Sequence, residues 1–203
     1  MDLENAVQIF NALYDDVNGY QISYQARHQL PYYDKAHTYG EVTPEAFHRI
    51  LREIPIEPGQ VFYDLGSGTG KAVVLSHLLF PFQRSVGVEL LSELYRTSES
   101  VSERLKSEYA NYLSLQPENK EITFINQDFL SVDLTDVDVV FTHSTCFHPS
   151  LMEQLEKKLH ALKKGTYAIT VSKTLETPEF RPIKVREANM GWGTATVYIY
   201  QRL

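Results

Sequence analysis

The sequence predicts an α/β fold: a mostly parallel sheet with helices on both faces and a C-terminal antiparallel strand pair. Three observations carry this. Short apolar runs alternate with amphipathic helical stretches through the middle of the chain, the pattern of a parallel sheet. The run from Gln60 to Gly70, QVFYDLGSGTG, is an apolar strand that ends in Asp64 and enters a glycine-rich turn. Further on, SVGVE is a second apolar strand, ending in Glu89. A strand, a glycine loop, a helix and a strand ending in an acid make a βαβ unit of the mononucleotide-binding kind, so the expected architecture is Rossmann-like.

The elements follow in order. In LENAVQIFNALY, Ala6, Ile9, Phe10 and Leu13 fall at helical spacing and predict a short amphipathic helix. Asp15 to His37 lacks a sustained period and reads as loop with room for one more helix. Its Tyr20, Tyr24, Tyr32 and Tyr33 either line a pocket or, the commoner use, pack against the core. Thr43 is a good N-cap, Pro44 suits the first helical position, and Phe47, Ile50, Leu51 and Ile54 make one apolar stripe. The first strand is placed at Val61 to Tyr63. The helix after the glycine loop runs from Lys71 and stops before Pro81. Residues 92–115 form a long helical pattern with Ser92 as cap. KEITFINQDFL is a third strand ending at Asp128 and Phe129, and VDVVFTHSTCFHP holds a buried fourth. Ser150 starts a helix that Gly165 ends. TYAITVS is a strand, and an extended stretch around Pro182 joins a closing strand through Gly191-Trp192-Gly193.

Composition sets the limits. The chain has 203 residues, 43% hydrophobic and 22% charged, which fits one ordinary globular domain. A formal net charge of −7 argues against a general nucleic-acid-coating surface. The lone Cys146 cannot form an internal disulfide, which fits a reducing compartment, and it reads as an inert buried thiol. No signal peptide is read in MDLENAVQIF, and AVVLSHLLFPF is too short to span a bilayer, so an intracellular protein of the cytoplasm or nucleus is expected. The seven histidines show no metal-ligand spacing, and no metal is expected.

In an open α/β sheet, ligands bind beyond the carboxyl ends of the strands. Those ends carry Asp64, Glu89, Asp128 with Phe129, and His143 to Phe147. The glycine spacing is G-x-G-x-G at Gly66, Gly68 and Gly70, with Ser67 between and Lys71 in place of a third dinucleotide glycine. No pyrophosphate cradle is needed, which points to a nucleoside cofactor without phosphates, S-adenosylmethionine first. Glu89 is assigned to the ribose hydroxyls, Asp128 to the adenine amino group and Phe129 to the purine face. Asp64 orients the loop and faces the methionine ammonium. Taken singly, each acid could also be a helix cap or a surface carboxylate; at successive strand ends together, that alternative is much weaker. Methyl transfer asks a protein mainly for alignment and a dry channel, and a lysine acceptor must first lose its proton. Phe147, Trp192 and Tyr198 are candidates for an aromatic channel wall; Trp192 and Tyr198 could equally be core.

The run TYGEVTPEAFHRILREI, the DLGSGTG motif, GVE and DFL together resemble the Dot-one-like methyltransferases, histone lysine methyltransferases without a SET domain. The likeness extends from about residue 36 to the Tyr-rich last strand. It implies the class I methyltransferase fold, with residues 43–203 as one compact unit and residues 1–42 as a helical and loop segment covering the cofactor site. It implies S-adenosylmethionine as cofactor and a protein lysine, a histone among the options, as substrate. Tyr39 and Glu41 then belong to a loop that closes over the cofactor. The family carries an Asn-Asn pair after the fourth strand, near the transferred methyl. Here His143-Ser144 stands there, so His143 or Ser144 orients the acceptor, and a neutral His could take its proton. The family's basic nucleosome-binding stretch is not found in these residues. A small-molecule methyltransferase and a catalytically silent cofactor-binding domain stay open as alternatives.

Overall fold

A computed structural model describes residues 2–30, 34–114 and 119–203; Tyr32 and Tyr33 lie outside the described residues. Two helices open the chain, α1 (Leu3–Tyr14) and α2 (Gly19–His28), followed by α3 (Pro44–Leu51). Then come β1 (Val61–Leu65), α4 (Lys71–Leu79), β2 (Arg84–Glu89), α5 (Ser92–Glu108), the short α6 (Ala110–Leu113) and β3 (Glu121–Asn126). The chain closes with β4 (Val139–Thr142), α7 (Pro149–Leu159), β5 (Tyr167–Val171), β6 (Phe180–Met190) and β7 (Gly193–Arg202). The sheet order is β3-β2-β1-β4-β5-β7-β6. Strands β1 to β5 run parallel, and β7 pairs antiparallel with both β5 and β6. The strand order reverses between β1 and β4, so a crevice opens there beyond their carboxyl ends.

Period-two alternation along β1 explains the two core layers. Phe62 points to the face covered by α1, α3 and α4, where it joins Phe47, Leu75 and Phe141. Tyr63 and Leu65 point to the other face, where Leu155 and Leu159 of α7 cover them. Phe47 is fully buried and meets Phe62, Phe141 and Phe80 edge-on at centroid distances of 5.9, 5.6 and 6.4 Å. Among the described residues, no helix is long and apolar enough to cross a membrane.

Several element boundaries differ from the sequence reading. Helix α2 takes up the room for one helix within the Asp15–His37 stretch, where the Asn18 side chain caps it, accepting from Gln21 N–H at 3.0 Å. Tyr20 and Tyr24 on that helix are exposed rather than core. Leu91, not Ser92, is the N-cap of α5; Ser92 instead donates to Asn126 Oδ1 at 3.0 Å. The third strand ends at Asn126, because Asp128 accepts the Leu130 N–H at 2.9 Å and bends Phe129–Ser131 into a 3-10 turn. Helix α7 begins at Pro149, capped by His148 Nδ1, and ends at Leu159; Gly165, at φ +88°, serves the turn before β5.

Phe47→Ala is expected to destabilise the domain by about 3–5 kcal/mol, since it empties the middle of three edge-on ring contacts. Chemical denaturation should show the midpoint falling with little change in slope.

Candidate active site

A cavity of about 250 Å³ lies at the crevice, lined by the Thr38–Gly40 turn, Gly66, Gly68, Glu89, Asp128, Phe129, His143 and Phe147. Four successive strand ends thus converge on one space, as the parallel topology requires. A much smaller space beside it is lined by Glu41, Asp64, Ser67 and Lys71; Tyr39, Gly40, Gly66 and His143 border both.

The glycine loop makes the floor. Gly66 and Ser67 donate their N–H groups to Val88 O at 2.9 and 3.0 Å, and Gly70 donates to Ser67 O at 2.9 Å. The Gly68 N–H donates to Glu89 Oε2 at 2.8 Å. These four amides are therefore engaged within the protein rather than turned to a phosphate, the opposite of a P-loop. Gly68 has φ +57°, and the Tyr39 ring lies where its side chain would be, so only glycine fits. Gly70 packs against Phe124, and the Ser67 hydroxyl is buried beneath the loop with no partner of its own.

Two acids sit below this loop. Glu89 is buried, and besides Gly68 it accepts the Leu91 N–H through Oε1 at 2.7 Å. Burial pushes its carboxyl upward and the two amides oppose that. A carboxylate has about four acceptor sites, so two remain for further donors. Asp64 is 4% exposed, and its Oδ1 has no hydrogen-bond partner. Burial, with a smaller contribution from the Glu89 charge, raises its carboxyl well above the usual range. A buried, unpartnered carboxylate is a site for a cation.

The remaining predicted residues divide. Phe129 and Phe147 line the cavity and stack on each other at 5.7 Å and 19°. Asp128 is at the cavity and exposed. The Tyr39 hydroxyl bonds Thr69 Oγ1 at 2.7 Å, and Glu41 pairs with Lys71 at 2.7 Å. His143 borders the cavity; burial lowers it to about 4, so it is neutral at pH 7. Trp192 reaches His143 from the β6–β7 turn. Ser144 does not join them: it is fully buried and donates to Val171 O at 2.8 Å. Nor does Tyr198, which stacks on Tyr200 within the second core layer.

Sequence reasoning missed Leu91, His37 and Gln154 among the lining residues. The pair Leu90-Leu91 straight after Glu89 held a signal, since Leu90 is 48% exposed and apolar at a strand tip. Nothing in the spacing marked His37 or Gln154.

Comparisons with known proteins bear on the family and the fold. Residues 20–197 match the family model described as histone methylation protein DOT1. An H3 lysine-79 specific histone-lysine N-methyltransferase from Dictyostelium discoideum is 36% identical over 151 residues, covering 71% of this chain and 8% of that protein. A protein-lysine N-methyltransferase from Saccharolobus islandicus is 30% identical over 163 residues, covering 78% of this chain and 89% of that protein. The chain thus spans a small part of the Dictyostelium protein and most of the Saccharolobus one. A solved RNA methyltransferase from Salinibacter ruber in complex with S-adenosyl-L-homocysteine superposes with a TM-score of 0.60 at 22% identity, over 79% of this chain and 92% of that one. A magnesium protoporphyrin IX methyltransferase from Synechocystis gives 0.57 at 12% identity, over 97% and 90%. At such identities these two show the shared fold.

The raised Asp64 carboxyl has a sign that can be checked. At a pH below about 4 the group is protonated in both folded and unfolded chains. Above that, the unfolded chain ionises freely while the folded one resists, so stability falls as pH rises toward the folded value. Asp64→Asn should therefore raise the melting temperature of ligand-free protein at pH 7 and flatten its decline from pH 4 upward. A melting series across that range checks both.

Proposed function

The chain belongs to the family of the histone methylation protein DOT1, and from that premise we propose that it transfers a methyl group from S-adenosylmethionine to the side-chain amine of a protein lysine. One observation supports the cofactor most directly. The floor loop's amides are internally paired while Asp64 is buried and open to a cation. That combination suits a ligand with an ammonium group and no phosphates.

The residues present fit such a molecule. Asp64 would hold the ammonium, and Glu89 would take the ribose hydroxyls on its two remaining acceptor sites. Asp128 would accept from the adenine amino group, and Phe129, backed by Phe147, would lie against the purine. Tyr39 and Glu41 would hold the 39–41 loop over the glycine floor, as an N-terminal cover to the site. When bound, S-adenosylmethionine supplies an electrophilic methyl on a sulfonium. The protein's part is alignment and exclusion of water. A lysine ammonium, with a reference pKa of about 10.4, must reach the site neutral, and an apolar wall favours that form. Trp192, 42% exposed and bonded to His143, would meet an incoming side chain.

A protein acceptor rests on the relatives' names, and a basic one such as a histone suits a chain of net charge −7. Labelled methyl transfer into histones, nucleosomes and a proteome extract, read by mass spectrometry, tests this. Methyl-lysine is the expected product; label in a small molecule or nucleic acid alone would refute it. Glu89→Ala should weaken S-adenosylhomocysteine binding by roughly 10- to 100-fold in calorimetry, because a charged acceptor of two hydrogen bonds is lost. Gly68→Arg should abolish it.

A further inference from the structure

We propose that His143 and Trp192 act as a hydrogen-bonded pair that ties the tip of the β6–β7 hairpin to the Gly40 turn and so positions the Tyr39–Glu41 loop over the cavity. The inference builds on the methyl-transfer reading and assigns His143 a different task from taking the acceptor's proton.

Trp192 Nε1 lies 3.2 Å from His143 Nε2, and the two rings meet edge-on at 5.8 Å and 78°. An indole N–H can only donate, so Nε2 must present its lone pair, and in the neutral ring the proton sits on Nδ1. Burial keeps the ring neutral at pH 7, with its pKa lowered to about 4. The one lone pair of a neutral imidazole is therefore engaged by the indole. His143 is a positioning residue, not a general base.

Gly40 lies directly against the pair. A Cβ added there would come within 2.6 Å of His143 Cε1 and 3.1 Å of Trp192 Nε1. Immediately after Gly40 the same loop is bound to the same hairpin. Gly191 N–H donates to Glu41 O at 2.8 Å, Val42 bridges to Met190, and Thr43 Oγ1 donates to Asn189 O at 3.1 Å. One residue earlier, Tyr39 covers Gly68 of the floor. The hairpin tip, which faces solvent through Trp192, is thus connected through Gly40 to the cover of the cofactor space. A substrate that moves the indole moves that cover.

Two measurements on the full chain test this. In nitrogen-resolved NMR at pH 7, His143 should show the Nδ1–H tautomer, and Trp192→Phe should shift it toward a mixture. In calorimetry with S-adenosylhomocysteine, Trp192→Phe and His143→Leu should each weaken binding by about three- to tenfold, the range for losing one hydrogen bond. The double variant should be no weaker than the worse single one, and His143→Gln, which keeps an acceptor, should recover most of the loss. An Nε2–H tautomer in the unaltered protein, or losses that multiply in the double variant, would overturn the pair. Total failure to bind S-adenosylhomocysteine would defeat the methyl-transfer reading instead, and the tautomer would still decide the pair.

Discussion

Two carboxylates buried side by side at the tips of neighbouring strands are the constraint around which this molecule is arranged. Asp64 is the penultimate residue of β1 and Glu89 ends β2, and parallel register sets Asp64 opposite Gly87 and Leu65 opposite Val88. Both are desolvated, and the Glu89 charge adds to the difficulty of ionising Asp64. Glu89 is relieved by two amides; Asp64 is left with an unmet oxygen. Such an arrangement survives only where the rest of the fold over-determines it. The two core layers do so, clamping β1 between the Phe47 cluster on one face and α7 on the other. The unpartnered oxygen is then available to a ligand instead of being taken up within the protein.

The same logic explains the cover. The loop before α3 is held at three points by the β6–β7 hairpin and at a fourth by the Glu41–Lys71 ion pair, whose ammonium lies 5.2 Å above the Tyr14 ring. Lys71 opens α4, at the position where a dinucleotide-binding loop would need a glycine. Here its charge serves the cover. The antiparallel hairpin at the far edge of the sheet therefore touches a residue that borders the cavity, because Trp192 in its turn reaches back to His143.

Much of this was legible in the sequence because it rests on local rules. The period-two runs, the glycine spacing, the Thr43-Pro44 cap and the acids at strand ends fixed the sheet and its ligand edge. What escaped depended on long-range pairing or on a single side-chain choice. Asp128 caps a 3-10 turn, so β3 stops at Asn126, two residues short of its expected end. Ser144 sits beside His143 in the chain, yet its hydroxyl turns to Val171 on the next strand, a contact no spacing reveals. Tyr198 packs against the second core layer on β7, while Trp192, in the turn that precedes that strand, reaches His143.

The central claim is that Asp64 is a buried acid awaiting a cation, and proton linkage reads it directly. Calorimetric titration with S-adenosylhomocysteine near pH 6, repeated in buffers of different ionisation enthalpy, counts the protons exchanged on binding. An ammonium seated on Asp64 lowers its raised pKa, so binding should release protons, and Asp64→Asn should remove that release. Binding with no buffer dependence in the unaltered protein would contradict the account.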